Sequence, residues 1–474
     1  MELNNNKILI IGAGLCGSLL ALRLAQRGYK INVYEMRPDL RKTDISAGRS
    51  INLAFSDRGG RAMKLVGLEE RVKQLCIPMN GRLLHDKDGQ EKMSPYSGLE
   101  HEYINSISRG GLNALLLDEA EANENVTLHF NQRCKKVDFE NTIAHFEDFR
   151  TKETYTKTAD CIIATDGAGS ALRKSYVLER KFLFSFSQQW LTHGYKELSI
   201  LPNENGDYKI FKNALHIWPR GDFMIIALPN LDGSFTVTLF LSYDEGAYNF
   251  NNLTSPEIVL EFFNKEFPDL VTVMPNLVED FFENPTAPLG TVKCSPWHYK
   301  GHTLLMGDAA HAIVPFYGQG MNASFEDVVV FDEVLNELEA EGDWEHIFKT
   351  FEKRRKKDTD AIADLAIDNY FEMRDHVANP LFQNKRKIEM ALEQNFADRY
   401  ASKYRLVTFN EDIGYREAML RGRAQDKAIL NLLDDKIISS EQKLNNPEIL
   451  NEILEKINKE TEAILKDDKV AKLS

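Results

Sequence analysis

The 474-residue sequence predicts a mixed α/β fold, α+β overall, on three observations. An apolar run at 7–11 passes through a glycine-spaced turn into a helical pattern, as a strand, turn and helix do in a parallel sheet. Between 182 and 292 the pattern becomes short alternating stretches divided by turn residues, which reads as an antiparallel sheet. Beyond 341 apolar residues recur at three- and four-residue spacing, as in packed helices. The predicted organisation has a discontinuous first domain at 1–75, 100–181 and 290–340. The antiparallel-sheet domain takes 76–99 and 182–289, and a C-terminal helical region fills 341–474.

The totals narrow the function. Asp and Glu number 72 against 58 Lys and Arg, a formal charge of −14 that argues against nucleic acid and against an anionic membrane surface. Apolar residues at 43% suffice for a full core and are too few for a membrane bundle. Cys16, Cys76, Cys134, Cys161 and Cys294 are scattered, odd in number and without a CxxC pair. That spacing fits neither a metal site nor a disulfide framework, and predicts thiols in a reducing compartment. The opening MELNNNK leads straight into a strand with no signal segment, so a cytoplasmic location is expected. The longest uncharged apolar stretch of the tail is 429–433, too short for a membrane anchor.

Taken in order, strand 7–11 (KILII) turns through Gly12-Ala13-Gly14-Leu15-Cys16-Gly17 into a helix at 18–27 that stops at Gly28. A second strand at 31–34 ends in Glu35. The glycines of this GxGxxG unit act separately. Gly12 permits the tight turn, Gly14 lets backbone approach a pyrophosphate, and Gly17 lets the helix pack on the sheet. Glu35 accepts hydrogen bonds from a ribose diol and repels a 2′-phosphate, so this Rossmann-like unit suits FAD or NAD better than NADP. No second GxGxxG follows a strand. Ser108-Arg109-Gly110-Gly111-Leu112 opens a helix, with Arg109 either solvated there or a partner for phosphate or ribityl oxygens. CIIATDGAGSALR, from Cys161, offers a strand, then Asp166-Gly167, then Ser170 as a helix cap and Arg173.

Strands are expected at 207–211, 214–218, 223–228 and 234–241, a sheet that by itself says nothing about substrate. The run MGDAAHAIVPFYGQGMNASFED (306–327) is the richest stretch: Asp308 at a strand end, a bend through Pro315, Gly318 and Gly320, then a helix opening near Met321-Asn322. Bare N–H groups and the helix dipole there favour negative charge. His311, among alanines, reads as a structural imidazole. Helices are expected at 344–356, 360–377 and 384–398, with an amphipathic helix pair across 426–474. Three nucleotide-type signals at 12–35, 166–173 and 307–322 point to one extended dinucleotide, FAD. Its adenosine belongs at Gly12–Glu35, Asp308 at the ribityl or pyrophosphate, and Met321-Asn322 at the flavin edge that becomes negative on reduction.

These motifs resemble the flavin-dependent aromatic hydroxylases. INLAFSDRG (51–59), IPMNGRLLHDKDG (77–89), INSISRGGLN (104–113), LHIWPR (215–220), MIIALPN (224–230), SFTVTLF (234–240) and DNYFEMRDHV (368–377) resemble the kynurenine 3-monooxygenase family more closely, over about residues 7–420. Eukaryotic members end in a hydrophobic membrane-anchoring segment; this tail is charged throughout, as in a soluble, bacterial-type member. The resemblance implies bound FAD, with NADPH and O2 as co-substrates. It implies hydroxylation of L-kynurenine to 3-hydroxy-L-kynurenine through a flavin C4a-hydroperoxide, within tryptophan degradation and towards NAD.

It also implies site residues. Arg82 matches the arginine that binds the kynurenine carboxylate, Tyr96 and Tyr404 its tyrosine helpers, and Asn369 an asparagine at the amino-acid end. Pro315, Phe316 and Tyr317 are expected to wall the substrate ring, with Phe235, Phe240 and Met373 as further candidates. The cofactor set is Gly12, Gly14, Leu15, Gly17, Glu35, Ala54, Arg109, Cys134, Asp166, Asp308, Gly320, Met321 and Asn322. No catalytic side chain and no metal is called for. An α-amino acid needs a planar cation with hydroxyls and an amide around it. Without the resemblance, Arg82, Tyr96, Asn369 and Tyr404 read as a surface charge, a turn aromatic, a helix-surface amide and a packing residue. Two other readings stand beside this one: a flavin hydroxylase of another aromatic ring, and a flavin reductase or sensor that does not hydroxylate.

Overall fold

The computed structural model describes residues 7–42, 52–373, 380–439 and 444–471. A six-stranded sheet runs in the order His298–Tyr299, Thr303–Leu305, Cys161–Ala164, Lys7–Ile11, Lys30–Tyr34, Val126–His129. Its pairings are parallel except the first. All four residues of Cys161–Ala164 are buried, as are four of the five of Lys7–Ile11, because packed elements cover both faces of a parallel sheet. One of those cover elements is the helix Leu15–Gln26, with Leu19, Leu20 and Leu24 in the same core. Three adjacent parallel strands therefore end side by side, and just past their carboxyl ends stand Gly12, Asp166 and Asp308. In open α/β sheets this is the edge where ligands bind.

The second large sheet has seven strands, ordered Ala287–Ser295, Ser185–Ile200, Phe235–Ser242, Met224–Pro229, Leu215–Pro219, Gly81–His85, Glu91–Pro95. It is antiparallel as expected, except that Leu215–Pro219 and Gly81–His85 pair in parallel. The strand expected at 207–211 is absent. Asn203 accepts at its side-chain oxygen from the amides of Asn205 and Asp207, and Gly206 takes φ +83°, so the chain turns. Tyr208 and Ile210 alternate because they pack on the core from a loop.

Two domain edges also shift. Cys76–Met79 pairs with Ile104–Ser108 in a small three-stranded sheet, whereas Ala287–Ser295 remains in the seven-stranded sheet past the expected boundary at 290.

The helices predicted at 344–356 and 360–377 are one helix, Trp344–Phe371, since no glycine or proline interrupts 357–359; residues 374–377 lie outside the described residues. Pro380–Asn395, Lys403–Thr408, Tyr415–Asp434 and Pro447–Ala471 complete the helical region. The last two form an amphipathic pair, whose first helix begins at Tyr415, ahead of the 426 expected for it. Ile429, Leu432, Leu450, Ile453 and Leu454 bury against Ile388 and Leu392 of Pro380–Asn395. Among the described residues no helix is long and apolar enough to cross a membrane, and no cluster of His, Cys, Asp and Glu could hold a metal. All five cysteines are free.

Candidate active site

At the glycine turn Gly12 and Gly17 take the steric roles that their spacing predicts. Gly12 takes φ +99°, and a Cβ there would meet the Thr165 carbonyl oxygen at 2.8 Å. A Cβ on Gly17 would stand 2.0 Å from the Gly12 carbonyl oxygen, so the helix closes directly onto the turn. A Cβ on Gly14 would meet nothing within 4 Å, which leaves the turn open at that position. Glu35 accepts from the amides of Ala13 (2.9 Å) and Arg37 (3.0 Å), which fixes its carboxylate beside the turn. Three polar residues that the sequence did not single out hold this geometry. Asn113 and Ser18 both donate to the Ala13 carbonyl, at 3.1 and 3.0 Å, and Thr165 donates to that of Gly12 at 2.9 Å. The available signal was Asn113 at the end of INSISRGGLN, a polar residue on a buried helix face.

Asp166 accepts from the Ala171 amide at 2.7 Å through one oxygen; the other is buried without a partner. Burial pushes this carboxyl up. The Cys134 thiol is pushed up to about 12, by burial and then by Asp166, so the two lie close together. Asp308 opens onto the cleft, yet protein surrounds it closely enough that burial raises its carboxyl, against His311 and Arg109. Arg109, exposed at the start of Arg109–Glu121, is near enough to favour the charged form of Asp308. The first and third motifs touch: the Cys16 thiol donates to the Ser324 carbonyl at 3.6 Å, and a Cβ on Gly307 would meet Cys16 Sγ at 3.0 Å. Leu15 and Met321 are partly buried on the same core. An open cradle at Gly14, an unpartnered Asp166 oxygen and Asp308 facing the cleft suit a dinucleotide laid across the strand ends, and FAD fits this donor set.

The Gly307–Asn322 loop is held from behind. Asp327 accepts from the Gly307 amide (3.0 Å), from His311 Nε2 (2.6 Å) and from Arg355 Nε (2.8 Å). Burial alone would raise Asp327, but His311 and Arg355 outweigh it and hold the carboxyl below its ordinary range. Arg355 and Arg58 both reach Glu326, at 2.7 and 2.6 Å. His311 is the structural imidazole expected of it. The side chain of Asn322, expected at the cofactor, is committed to the loop. It accepts from the Ser56 amide (3.1 Å) and donates to the carbonyls of Ala54 (2.9 Å) and Gly318 (3.0 Å). Ala54 lies against Gly318, where a Cβ would come within 2.9 Å of its own. Gly320 opens the helix Gly320–Leu338.

Several of the residues expected at the substrate also converge. Arg82 projects from Gly81–His85 with its guanidinium 4.5 Å from the Tyr404 ring centre and 5.5 Å from that of Tyr96. The rings of Tyr96 and Tyr404 stack at 5.7 Å, and those of Tyr317 and Tyr404 at 5.6 Å. The hydroxyls of Tyr96 and Tyr317 are buried without a hydrogen-bond partner. Burial raises all three phenols, so they remain neutral O–H donors at physiological pH. Asn369 donates to the Phe316 carbonyl (2.6 Å) and lies 3.3 Å from Met373 Sδ. Phe316 packs on Phe240 (4.9 Å) and Tyr370 (4.6 Å).

Pro315 is exposed while Phe316 and Tyr317 are buried. One expectation needs correction. Phe235 is not in this pocket: it lies an odd number of residues from Phe240 on the same strand, so the pleat sends it to the opposite face. There it packs on Tyr208 and His216.

Comparison with known proteins bears on this geometry. The chain matches the FAD binding domain family over residues 5–366. It is 44% identical over 431 residues to kynurenine 3-monooxygenase of Myxococcus xanthus, covering 91% of each chain. It is 45% identical over 420 residues to the enzyme of that name from Dictyostelium discoideum, covering 86% of this chain and 88% of the other. Among solved structures, the tetrameric form of 2-methyl-3-hydroxypyridine-5-carboxylic acid oxygenase superposes with a TM-score of 0.64 at 18% identity, covering 81% of this chain and 97% of that one. This last likeness concerns the fold alone. On its sequence relatives, its strand-end FAD cradle and its FAD binding domain, the chain belongs to the kynurenine 3-monooxygenase family of flavin-dependent monooxygenases.

Proposed function

We propose that this chain hydroxylates L-kynurenine to 3-hydroxy-L-kynurenine, using NADPH as reductant and dioxygen as oxygen source. The observation that carries the reading is the unpartnered buried hydroxyl of Tyr96 beside the Arg82 guanidinium, with the unpartnered hydroxyl of Tyr317 on a ring stacked against Tyr404. Buried donors left unpaired are costly, and a substrate carboxylate satisfies both phenols and the cation at once. Asn369, one loop away, stands at the amino-acid end.

Bound FAD supplies a hydride acceptor for NADPH and the means to activate dioxygen. The residues of this chain bind and orient. The Gly14 turn leaves room for the pyrophosphate, Glu35 accepts from the ribose, and Asp308 and Arg109 line the cleft between adenosine and ring. Phe316 and Phe240 wall an apolar space for the aminobenzoyl ring and exclude water from it. The ring's own amino group enriches the adjacent carbon in electron density, so the protein need supply no strong acid or base there. Because Phe316-Tyr317 and Gly318–Asn322 are consecutive, one loop sets the distance between substrate ring and cofactor, which is the positioning contribution.

The test is a steady-state assay of the FAD-loaded protein. NADPH oxidation stimulated by L-kynurenine, with 3-hydroxy-L-kynurenine formed in step, is the expected result. NADPH consumption that yields only hydrogen peroxide would falsify the hydroxylase reading and favour a reductase or sensor.

A further inference from the structure

The stacked phenols beside Arg82 stand on segments far apart in sequence. Tyr96 follows the strand Glu91–Pro95, and Tyr404 lies on the short helix Lys403–Thr408. The helix Pro380–Asn395 meets the Tyr96 segment along one side, since Arg386, Met390 and Glu393 recur at helical spacing. Arg386 donates through Nη2 to the carbonyls of Pro95 (3.0 Å) and Tyr96 (2.8 Å). Further along, Gly98 lies directly on the helix. A Cβ there would stand 2.7 Å from the Met390 carbonyl oxygen and 2.8 Å from Glu393 Cβ.

Glu393 joins the two phenol-bearing segments. One of its carboxylate oxygens accepts from the Gly98 amide and the other from the Ser402 amide, each at 2.9 Å. Gly98 comes just after Tyr96 in the chain, and Ser402 just before Tyr404. The Ser402 hydroxyl also caps the helix that carries Tyr404, accepting from the Arg405 amide at 3.4 Å. Glu393 is 0% exposed, so water does not compete for its oxygens, and both bonds are charge-assisted. Arg405 and Glu102, at 2.7 Å, add a second tie between the same segments.

We propose that Glu393 is a positioning residue that sets the spacing between the Tyr96 and Tyr404 hydroxyls, and with it their fit to a substrate carboxylate. Hydrogen bonds weaken steeply once donor and acceptor part beyond their normal range, so a small shift of either segment costs affinity. The inference rests on the reading of Arg82 and these phenols as the carboxylate site.

The test uses the FAD-loaded full chain, with L-kynurenine binding read from the flavin absorbance and folding from thermal melting. Glu393→Gln keeps an acceptor for one amide and sets an N–H group against the other. It is expected to weaken binding about tenfold at full FAD content. In a Tyr96→Phe/Tyr404→Phe background the same change is expected to cost less than about twofold, because the hydroxyls that it places are gone. Ile453→Val measures general loosening, since Ile453 belongs to the same core cluster as Ile388 and Leu392 of that helix. It should lower the melting temperature and leave binding within about twofold of wild type. Should Glu393→Gln fail to fold, Gly98→Ala carries the same comparison by pushing the loop off the helix. Wild-type affinity in the folded variant, an undiminished loss in the double-phenylalanine background, or an equal loss in Ile453→Val overturns the inference. Arg82→Met separates the two readings. If it binds kynurenine as wild type does, both fall; if binding needs Arg82 yet ignores Glu393, only this inference falls.

Discussion

Replacing Arg82 by methionine is expected to abolish substrate binding while sparing both the fold and the cofactor. The guanidinium lies beside the mutually stacked rings of Tyr404 and Tyr96, and the Tyr96 hydroxyl is buried without a partner. Two charge-assisted hydrogen bonds to a substrate carboxylate, at about 1.5–3 kcal/mol each, give roughly 3–6 kcal/mol, or about a hundred- to ten-thousandfold in Kd. Two contributions to stability oppose each other. Loss of the ring contacts costs roughly 0.5–2 kcal/mol apiece. Removing a largely buried cation that no carboxylate among the described residues pairs relieves desolvation of similar size, and methionine fills most of the space. The melting temperature should therefore move little, and FAD content should stay full because the strand-end cradle uses none of these groups. Arg82→Lys should fall between, since it keeps the charge and loses the planar fork. The assay is a kynurenine titration of the flavin spectrum, with bound FAD measured on the same sample. A Kd within about threefold of wild type at full FAD content would refute the carboxylate assignment.

Other outcomes follow from particular positions. Gly14→Val should give a folded protein with a cooperative melt that purifies without flavin, because its Cβ meets no protein atom and instead occupies the cofactor's approach; retained FAD would contradict the cradle. Gly17→Ala should fail at the level of folding, given the 2.0 Å approach to the Gly12 carbonyl, which thermal melting would detect. Asn322→Ala strands the Ser56 amide and two buried carbonyls, and should cost about 2–4 kcal/mol in urea unfolding together with FAD affinity. The last concerns His85 and His216, hydrogen-bonded at 2.8 Å, in both of which burial lowers the imidazole to about 4. Unfolded rings take up protons near pH 6.5, so the unfolded chain binds more protons between about 6.5 and 4. Stability is thus present above that window and lost as pH falls through it, by at most roughly 3 kcal/mol per ring. Urea midpoints should drop on acidification, and His85→Asn should flatten the drop.

Much of the cofactor cradle was legible because its parts are local. Gly12, Asp166 and Asp308 each sit just past a strand in a contiguous motif, and the parallel sheet needs only to bring three such ends together. The substrate pocket was not legible from spacing. Arg82, Tyr96, Asn369 and Tyr404 come from a strand, a loop and two helices, and each looks ordinary until the fold joins them, so family resemblance alone pointed to them. Phe235 shows a rule available but unused, since strand parity already separated it from Phe240. At 207–211 the apolar alternation suggested a strand, whereas the turn chemistry of Asn203 and Gly206 prevailed in the fold. Lys403 illustrates the deeper limit. In sequence it is one more helix-surface charge, and only tertiary packing on Gly422, with Asp426 and Glu372 alongside, makes it a largely buried cation.

The central claim is oxygen transfer to the kynurenine ring. The most direct measurement is a turnover of FAD-loaded protein with NADPH and L-kynurenine under isotopically heavy dioxygen, with the product analysed by mass spectrometry. The account predicts 3-hydroxy-L-kynurenine carrying one heavy oxygen atom from the gas. Unchanged kynurenine accompanied by heavy hydrogen peroxide, or a product whose added oxygen comes from water, would contradict it.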